Sequence, residues 1–275
     1  MKRAQLAINS VSTRTHDLET ILAAYEMAGF VHVEFSLKHV YDYLDAGHTS
    51  QDVVALLRQH HLDCIGGFET PALCFGAAEQ RTQNHDRIVA NCQLLAELGG
   101  STLVLGTDGP EPSQEAADPV GVIAATFAEL GERVQSTGGK LCVEFNWSPI
   151  VKSVRTAVEV ARRSGADNVG VLFDPAHYHC TPSKLEMLDV DSVPYIGHVH
   201  VDDMADKPGE LSNCNADRAL PGEGCLDLGQ IFGRLEQFGY DGYFSIEMFD
   251  EELWAMPPTV AAKRMYDSLL PLCSH

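Results

Sequence analysis

The chain has 275 residues, 45% of them hydrophobic, and a formal net charge of -20 from 19 Lys+Arg against 39 Asp+Glu. That length supports one large core, and so large an excess of carboxylates would repel a phosphate backbone, which argues against nucleic acid as a partner. No apolar run approaches the ~18 residues of a membrane span, and the stretch AQLAI after MKR is too short for a signal peptide, so a cytoplasmic protein with no membrane partner is expected.

The first predicted element is a strand in AQLAINS (residues 4–10), followed by helical spacing in DLETILAAYEMAG (17–29), which closes on the glycine that commonly stops a helix. VHVEFS (31–36) is the second strand, KHVYDYLDAGHTS (38–50) is taken as a loop, and SQDVVALLRQHH (50–61) is the next helix. DCIGGFE (63–69) is the third strand, ETPALCFGAAEQ (69–80) a loop, and HDRIVANCQLLAELGG (85–100) a helix. STLVLGT (101–107), KLCVEFN (140–146) and VGVLFDP (169–175) follow as strands, separated by helices in residues 118–139 and 153–165. IGHVHVD (196–202) and YFSIEMF (243–249) complete the set, with a long irregular stretch at residues 203–227 between them. Strand-helix units recurring at about thirty residues match a single (β/α)8 TIM barrel over residues 1–275. A doubly wound dinucleotide fold is disfavoured because no G-x-G-x-x-G turn follows the first strand. The eight cysteines form no C-x-x-C pair and read as reduced, buried thiols.

A barrel gathers the C-terminal ends of its strands at one face. Four consecutive strands in the second half each end in a side chain suited to a metal: Glu144, Asp174, His200 and Glu247. Three carboxylates and one imidazole suit a single divalent ion, Mn2+, Mg2+ or Co2+, with Zn2+ also acceptable. Taken singly, each has a structural explanation: Glu144 and Glu247 as ion-pair partners, Asp174 as an Asp-Pro turn, His200 as a packed barrel histidine. Together they would repel one another without a cation among them. His198 and Asp202 share His200's side of the strand, and Asp202 or Asp203 is a candidate to hydrogen-bond a ligand imidazole. His177 and Arg218 read either as a surface histidine and a solvated arginine or as donors that complete a polyol or hydroxy-ketone site, while Glu34 and Glu69 are left between the pocket and structural ion pairs.

The segments KLCVEFNWSP, NVGVLFDPAHYHC, HVHVDD, DRALPGEGCLDL and GYFSIEMFDEELW resemble the sugar phosphate isomerase/epimerase family of xylose isomerase-like barrels, strongly over residues 140–255 and elsewhere by strand-helix rhythm. The resemblance implies that Glu144, Asp174, His200 and Glu247 bind the metal and that His177 and Arg218 contact a small sugar or keto-polyol. It further implies an isomerase or epimerase in which Glu144 and Glu247 transfer protons through a metal-bound cis-enediolate. The same family includes dehydratases of inososes or 3-dehydroshikimate, and a barrel retained only to bind a sugar is the non-catalytic alternative. The substrate is left open among inososes, free ketoses and phosphorylated sugars. EELWAMPP (251–258) is read as an interface or a lid, which leaves a homo-oligomer open.

Overall fold

The computed structural model describes residues 1–111, 116–146 and 148–273. Eight parallel strands close a barrel in the order β1-β10-β7-β6-β5-β4-β3-β2. They are β1 (Leu6–Asn9), β2 (His32–Ser36), β3 (Asp63–Phe68), β4 (Thr102–Leu105), β5 (Lys140–Glu144), β6 (Val169–Phe173), β7 (Ile196–Val201) and β10 (Phe244–Ile246). A two-stranded antiparallel ribbon, β8 (Asp203–Met204) with β9 (Arg218–Ala219), interrupts the stretch expected to be irregular. Each barrel strand lies where its apolar run predicts it, and helices follow the strands around the outside. Among the described residues no helix is long and apolar enough to cross a membrane.

The period-2 alternation of a strand sorts side chains between two environments. Val143, Val171, Phe173, Val199, Val201, Phe244 and Ile246 join the main core beneath the helices. Their neighbours Cys142 and Leu172, with Val104 and Phe68, form a separate apolar cluster. The same alternation sends Glu34, His198 and His200 to the barrel interior, where all three are buried.

Two register shifts tune that aim. Ile65 of β3 is an extra residue opposite the Val33–Glu34 step of β2, and Gly197 of β7 is extra opposite the Val171–Leu172 step of β6. Such bulges redirect the side chains that follow them, and here those include His198. Glycine is required beside the first bulge, since a methyl group on Gly66 would run into the Thr102 carbonyl oxygen. Gly66→Ala is expected to cost about 3 kcal/mol, the upper end of ordinary overpacking. A urea midpoint unchanged from wild type would contradict this close approach.

Two expectations need correction. Residues 37–45 form a helix, Leu37–Asp45, instead of a loop. Leu37 and Val40 are buried and Tyr41 and Leu44 pack against the core, an i, i+3, i+4, i+7 stripe that earns the helix its place against the barrel. The cysteines are only in part buried: Cys64, Cys74, Cys92 and Cys142 are, whereas Cys180, Cys214 and Cys273 are half-buried and Cys225, in the turn after β9, is exposed. All eight are free thiols.

The EELWAMPP stretch contains a short helix, Glu251–Ala255, that packs on its own chain. Trp254 Nε1 donates to the Val11 carbonyl at 2.9 Å, and the Arg14 guanidinium lies 4.2 Å from the Trp254 ring centre. It therefore ties the segment after β10 to the one after β1, beside the barrel mouth.

Candidate metal centre

At the C-terminal ends of the strands, His200 Nδ1 lies 3.2 Å from Glu247 Oε2 and 3.4 Å from Asp174 Oδ2. These three side chains, from the ends of β7, β10 and β6, each bring one ligand atom within 4.8 Å of the others, and all are buried. On the opposite ring edge, His200 Nε2 lies 3.1 Å from both oxygens of Glu34, whose Oε2 is also 3.0 Å from His198 Nε2. An ionised carboxylate can only accept, so both imidazoles present N–H to Glu34. Burial alone would raise the Glu34 carboxyl, but the His200 and His198 imidazoles hold it well below the usual carboxylate range.

With Nε2 committed to Glu34, Nδ1 of His200 is the atom that faces Asp174 and Glu247. It is buried and makes no hydrogen bond. Burial disfavours charge on this ring, yet Glu247 and Glu34 raise it well above its ordinary value. The position thus calls for a positive charge, a proton or a metal ion, and metal binding displaces such a proton.

Charge balance favours the ion. Asp202 is pushed well above the usual carboxylate range by burial and by Asp174. Even with Asp202 neutral, Glu34, Glu144, Asp174 and Glu247 carry four negative charges. Opposing them are Arg218 and His177, together with the His200 proton that an ion would displace; burial opposes charge on His177, but Asp174, Cys214 and Glu144 raise the imidazole to about 10. A divalent cation brings this set to neutrality, which is what a buried cluster of carboxylates requires. The donor set, one imidazole nitrogen with carboxylate oxygens, fits Mn2+, Mg2+, Co2+ or Zn2+.

Glu144 stands apart from this trio. It belongs to neither three-ligand cluster found among the described residues, and its Oε1 is 3.0 Å from His177 Nε2. It does line the same cavity as His200 and Glu247, a space of about 270 Å³ walled by Phe68, Val104 and Phe249. His177 is fully buried against Phe145 and turned toward Glu144.

Arg218 reaches inward from β9. Its Nη2 donates to Asp174 Oδ2 at 3.0 Å, and its Nη1 to Asp202 Oδ2 at 2.6 Å and to the Glu247 carbonyl at 2.7 Å. Neither His177 nor Arg218 lines the cavity. Both lie behind it and hold its carboxylates.

The two aspartates of HVHVDD have separate tasks, and neither orients His200. Asp202 pairs with Arg218, while Asp203 accepts from the backbone N–H groups of Met204, Gly222, Gly224 and Leu226 and so staples the loop after β9. The carboxylate on the imidazole is Glu34, from the other side of the barrel. Glu34, the register partner of Asn9 of β1, carries no local sequence signal for this pairing beyond its inward parity. Glu34→Gln replaces one acceptor oxygen by an NH2 that opposes an imidazole N–H, so metal affinity should fall about 10–100-fold. Competition with a fluorescent chelator measures it, and wild-type affinity would remove Glu34 from the site.

A closed (β/α)8 barrel with a carboxylate-imidazole cluster at the C-terminal ends of its strands defines the class to which this fold and site belong. The xylose isomerase-like TIM barrel model matches residues 22–270, and the chain belongs to that family. It is 32% identical over 151 residues to an inosose isomerase of Halalkalibacterium halodurans, covering 54% of this chain and 53% of that protein. It is 26% identical over 156 residues to an inosose dehydratase of Serratia proteamaculans, covering 51% of each. The matched stretch spans about half the length of these curated relatives. A crystal structure of the IOLI protein with a binding zinc atom superposes with a TM-score of 0.87 at 21% identity, over 98% of this chain and 97% of that one. At that identity the likeness shows the shared fold.

Proposed function

We propose that the protein is a divalent-metal-dependent isomerase or epimerase of inososes or related keto-polyols. The observation that carries the reading is the buried Nδ1 of His200, unbonded and aimed at Asp174 and Glu247 while Glu34 holds the other ring nitrogen. Asp174, His200 and Glu247 would hold the ion, with Glu144 completing the set from the cavity wall. When bound, a divalent ion supplies Lewis acidity toward a ketone and its neighbouring hydroxyl.

The chain's own groups supply the proton transfers. Glu144 ends β5 and Glu247 follows β10, and β6 and β7 lie between those strands in the barrel order. Their carboxylates therefore approach a substrate from different directions. One takes the proton from the carbon beside the ketone and the other returns a proton to the neighbouring carbon or the opposite face. His177 holds Glu144 by its 3.0 Å contact, and Arg218 restrains Asp174 and Glu247. Phe68, Val104 and Phe249 give the space between an apolar wall.

The inosose relatives favour a cyclic keto-polyol over an open-chain sugar, and both isomerase and dehydratase names occur among them. The test is incubation of the Mn2+-loaded protein with inososes and ketoses in D2O, followed by NMR. Deuterium incorporation with an isomeric ketone is the expected result. Loss of water to give an enone or diketone would make the protein a dehydratase, and no exchange with any ketone would overturn the reading.

A further inference from the structure

We propose that Glu69 is a second substrate anchor, a fixed carboxylate that accepts a hydroxyl of an uncharged polyol and turns away anionic substrates. This assignment rests on the reading of the cavity as a substrate pocket.

Glu69 follows β3 and lines the same cavity as Glu144, His200 and Glu247. Its carboxylate is held from behind by one helix, which a second helix braces. From Ala78–Glu97, Arg87 Nη2 donates to Oε1 at 2.6 Å and Nε to Oε2 at 3.0 Å, while Asn91 Nδ2 donates to Oε2 at 2.8 Å. From Leu37–Asp45, the Tyr41 hydroxyl donates to Asn91 Oδ1 at 2.7 Å, and the Arg87 guanidinium lies 3.8 Å from the Tyr41 ring centre. A carboxylate offers about four lone-pair sites. Three N–H groups engage it, with Arg87 Nε shared between both oxygens at 3.1 and 3.0 Å, and the side chain remains 25% exposed toward the cavity it lines. Burial would raise the Glu69 carboxyl, but hydrogen bonds from Arg87 and Asn91 lower it, so it stays ionised.

A surface ion pair needs only the arginine. Here Asn91 and Tyr41 add a fixed orientation, which reduces the ordering cost when a hydroxyl docks. The charge around the cavity points to the kind of ligand. Among the described residues its lining holds three carboxylates, Glu69, Glu144 and Glu247, with His200 and no lysine or arginine. Arg218 has a fully buried side chain committed to Asp174, Asp202 and Glu247. One divalent ion offsets the carboxylates beside it, and Arg87 pairs with Glu69 from outside the lining, so a phosphate or carboxylate on the far end of the substrate finds no cation to receive it where a hydroxyl finds an acceptor.

The test is calorimetric titration of the Mn2+-loaded wild type, Glu69→Gln and Tyr41→Phe with myo-inositol and with its monophosphate. Wild type should bind the uncharged cyclitol more tightly than the phosphate. Glu69→Gln should weaken cyclitol binding about 10–100-fold, the range for a hydrogen bond to a charged group, and narrow the preference against phosphate. Tyr41→Phe should weaken it severalfold. Equal cyclitol affinity in wild type and Glu69→Gln, or wild-type preference for the phosphate, or no cyclitol binding by wild type would overturn the proposal. Deuterium exchange into a keto-polyol is read separately: its absence alongside Glu69-dependent binding refutes the isomerase reading and leaves this assignment standing.

Discussion

Glu247→Gln should lower turnover of a keto-polyol by about 10²–10⁴-fold, the usual contribution of a positioned acid or base, and should weaken metal binding as well. The carboxylate of Glu247 joins three elements. Asn9 Nδ2 donates to its Oε1 at 3.1 Å, while its Oε2 lies 3.2 Å from His200 Nδ1 and 3.1 Å from Arg218 Nη1. Glutamine keeps the shape and loses the charge, so the ion loses a ligand and the reacting carbon loses a base. Glu144→Gln should reduce turnover to a similar degree with a smaller loss of metal, because Glu144 lies outside the buried trio and against His177. Initial rates paired with metal content by mass spectrometry separate the two effects. Wild-type turnover in both variants would sink the proton-transfer roles.

Withdrawal of divalent metal should lower the thermal midpoint by about 5–10 °C, and Mn2+ should restore it. An ion present at a hundred times its Kd stabilises the folded state by about 2.7 kcal/mol, and a protein of this size class shifts by about 2–4 °C per kcal/mol. The physical source is the charge imbalance among Glu34, Glu144, Asp174 and Glu247, which Arg218 and His177 offset only in part. Neutralising one partner should shrink the effect, so Asp174→Asn should show a smaller response to chelator than wild type. A midpoint indifferent to chelator, in protein with no bound metal, would remove the metal centre.

Much of this was legible in the chain. Each barrel strand falls inside its predicted apolar run because strand-forming sequence is local, and inward parity at period 2 places Glu144, Asp174, His200 and Glu247 on the interior face without any knowledge of their neighbours. The helix at residues 37–45 was also legible, through Leu37, Val40, Tyr41 and Leu44, although its histidine, tyrosines and aspartates make the segment look like a polar loop.

Residue types, their order along the chain and the side of each strand they occupy were thus determined by sequence alone, since each depends on steric and solvation preferences acting over a few residues. The partners were decided by tertiary structure. Glu34 meets His198 and His200 across sequence separations of 164 and 166 residues. Arg218 turns inward onto Asp174 and Asp202 because β9 pairs back onto β8. Glu69 is held by Arg87 and Asn91 of one helix, and Asn91 is held in turn by Tyr41 of another. These contacts follow from closure of β1 onto β10, the strand register and the bulges at Ile65 and Gly197, which are settled by packing around the whole barrel; Gly66 and Gly197 mark where the bulges fall without naming the partners they bring together.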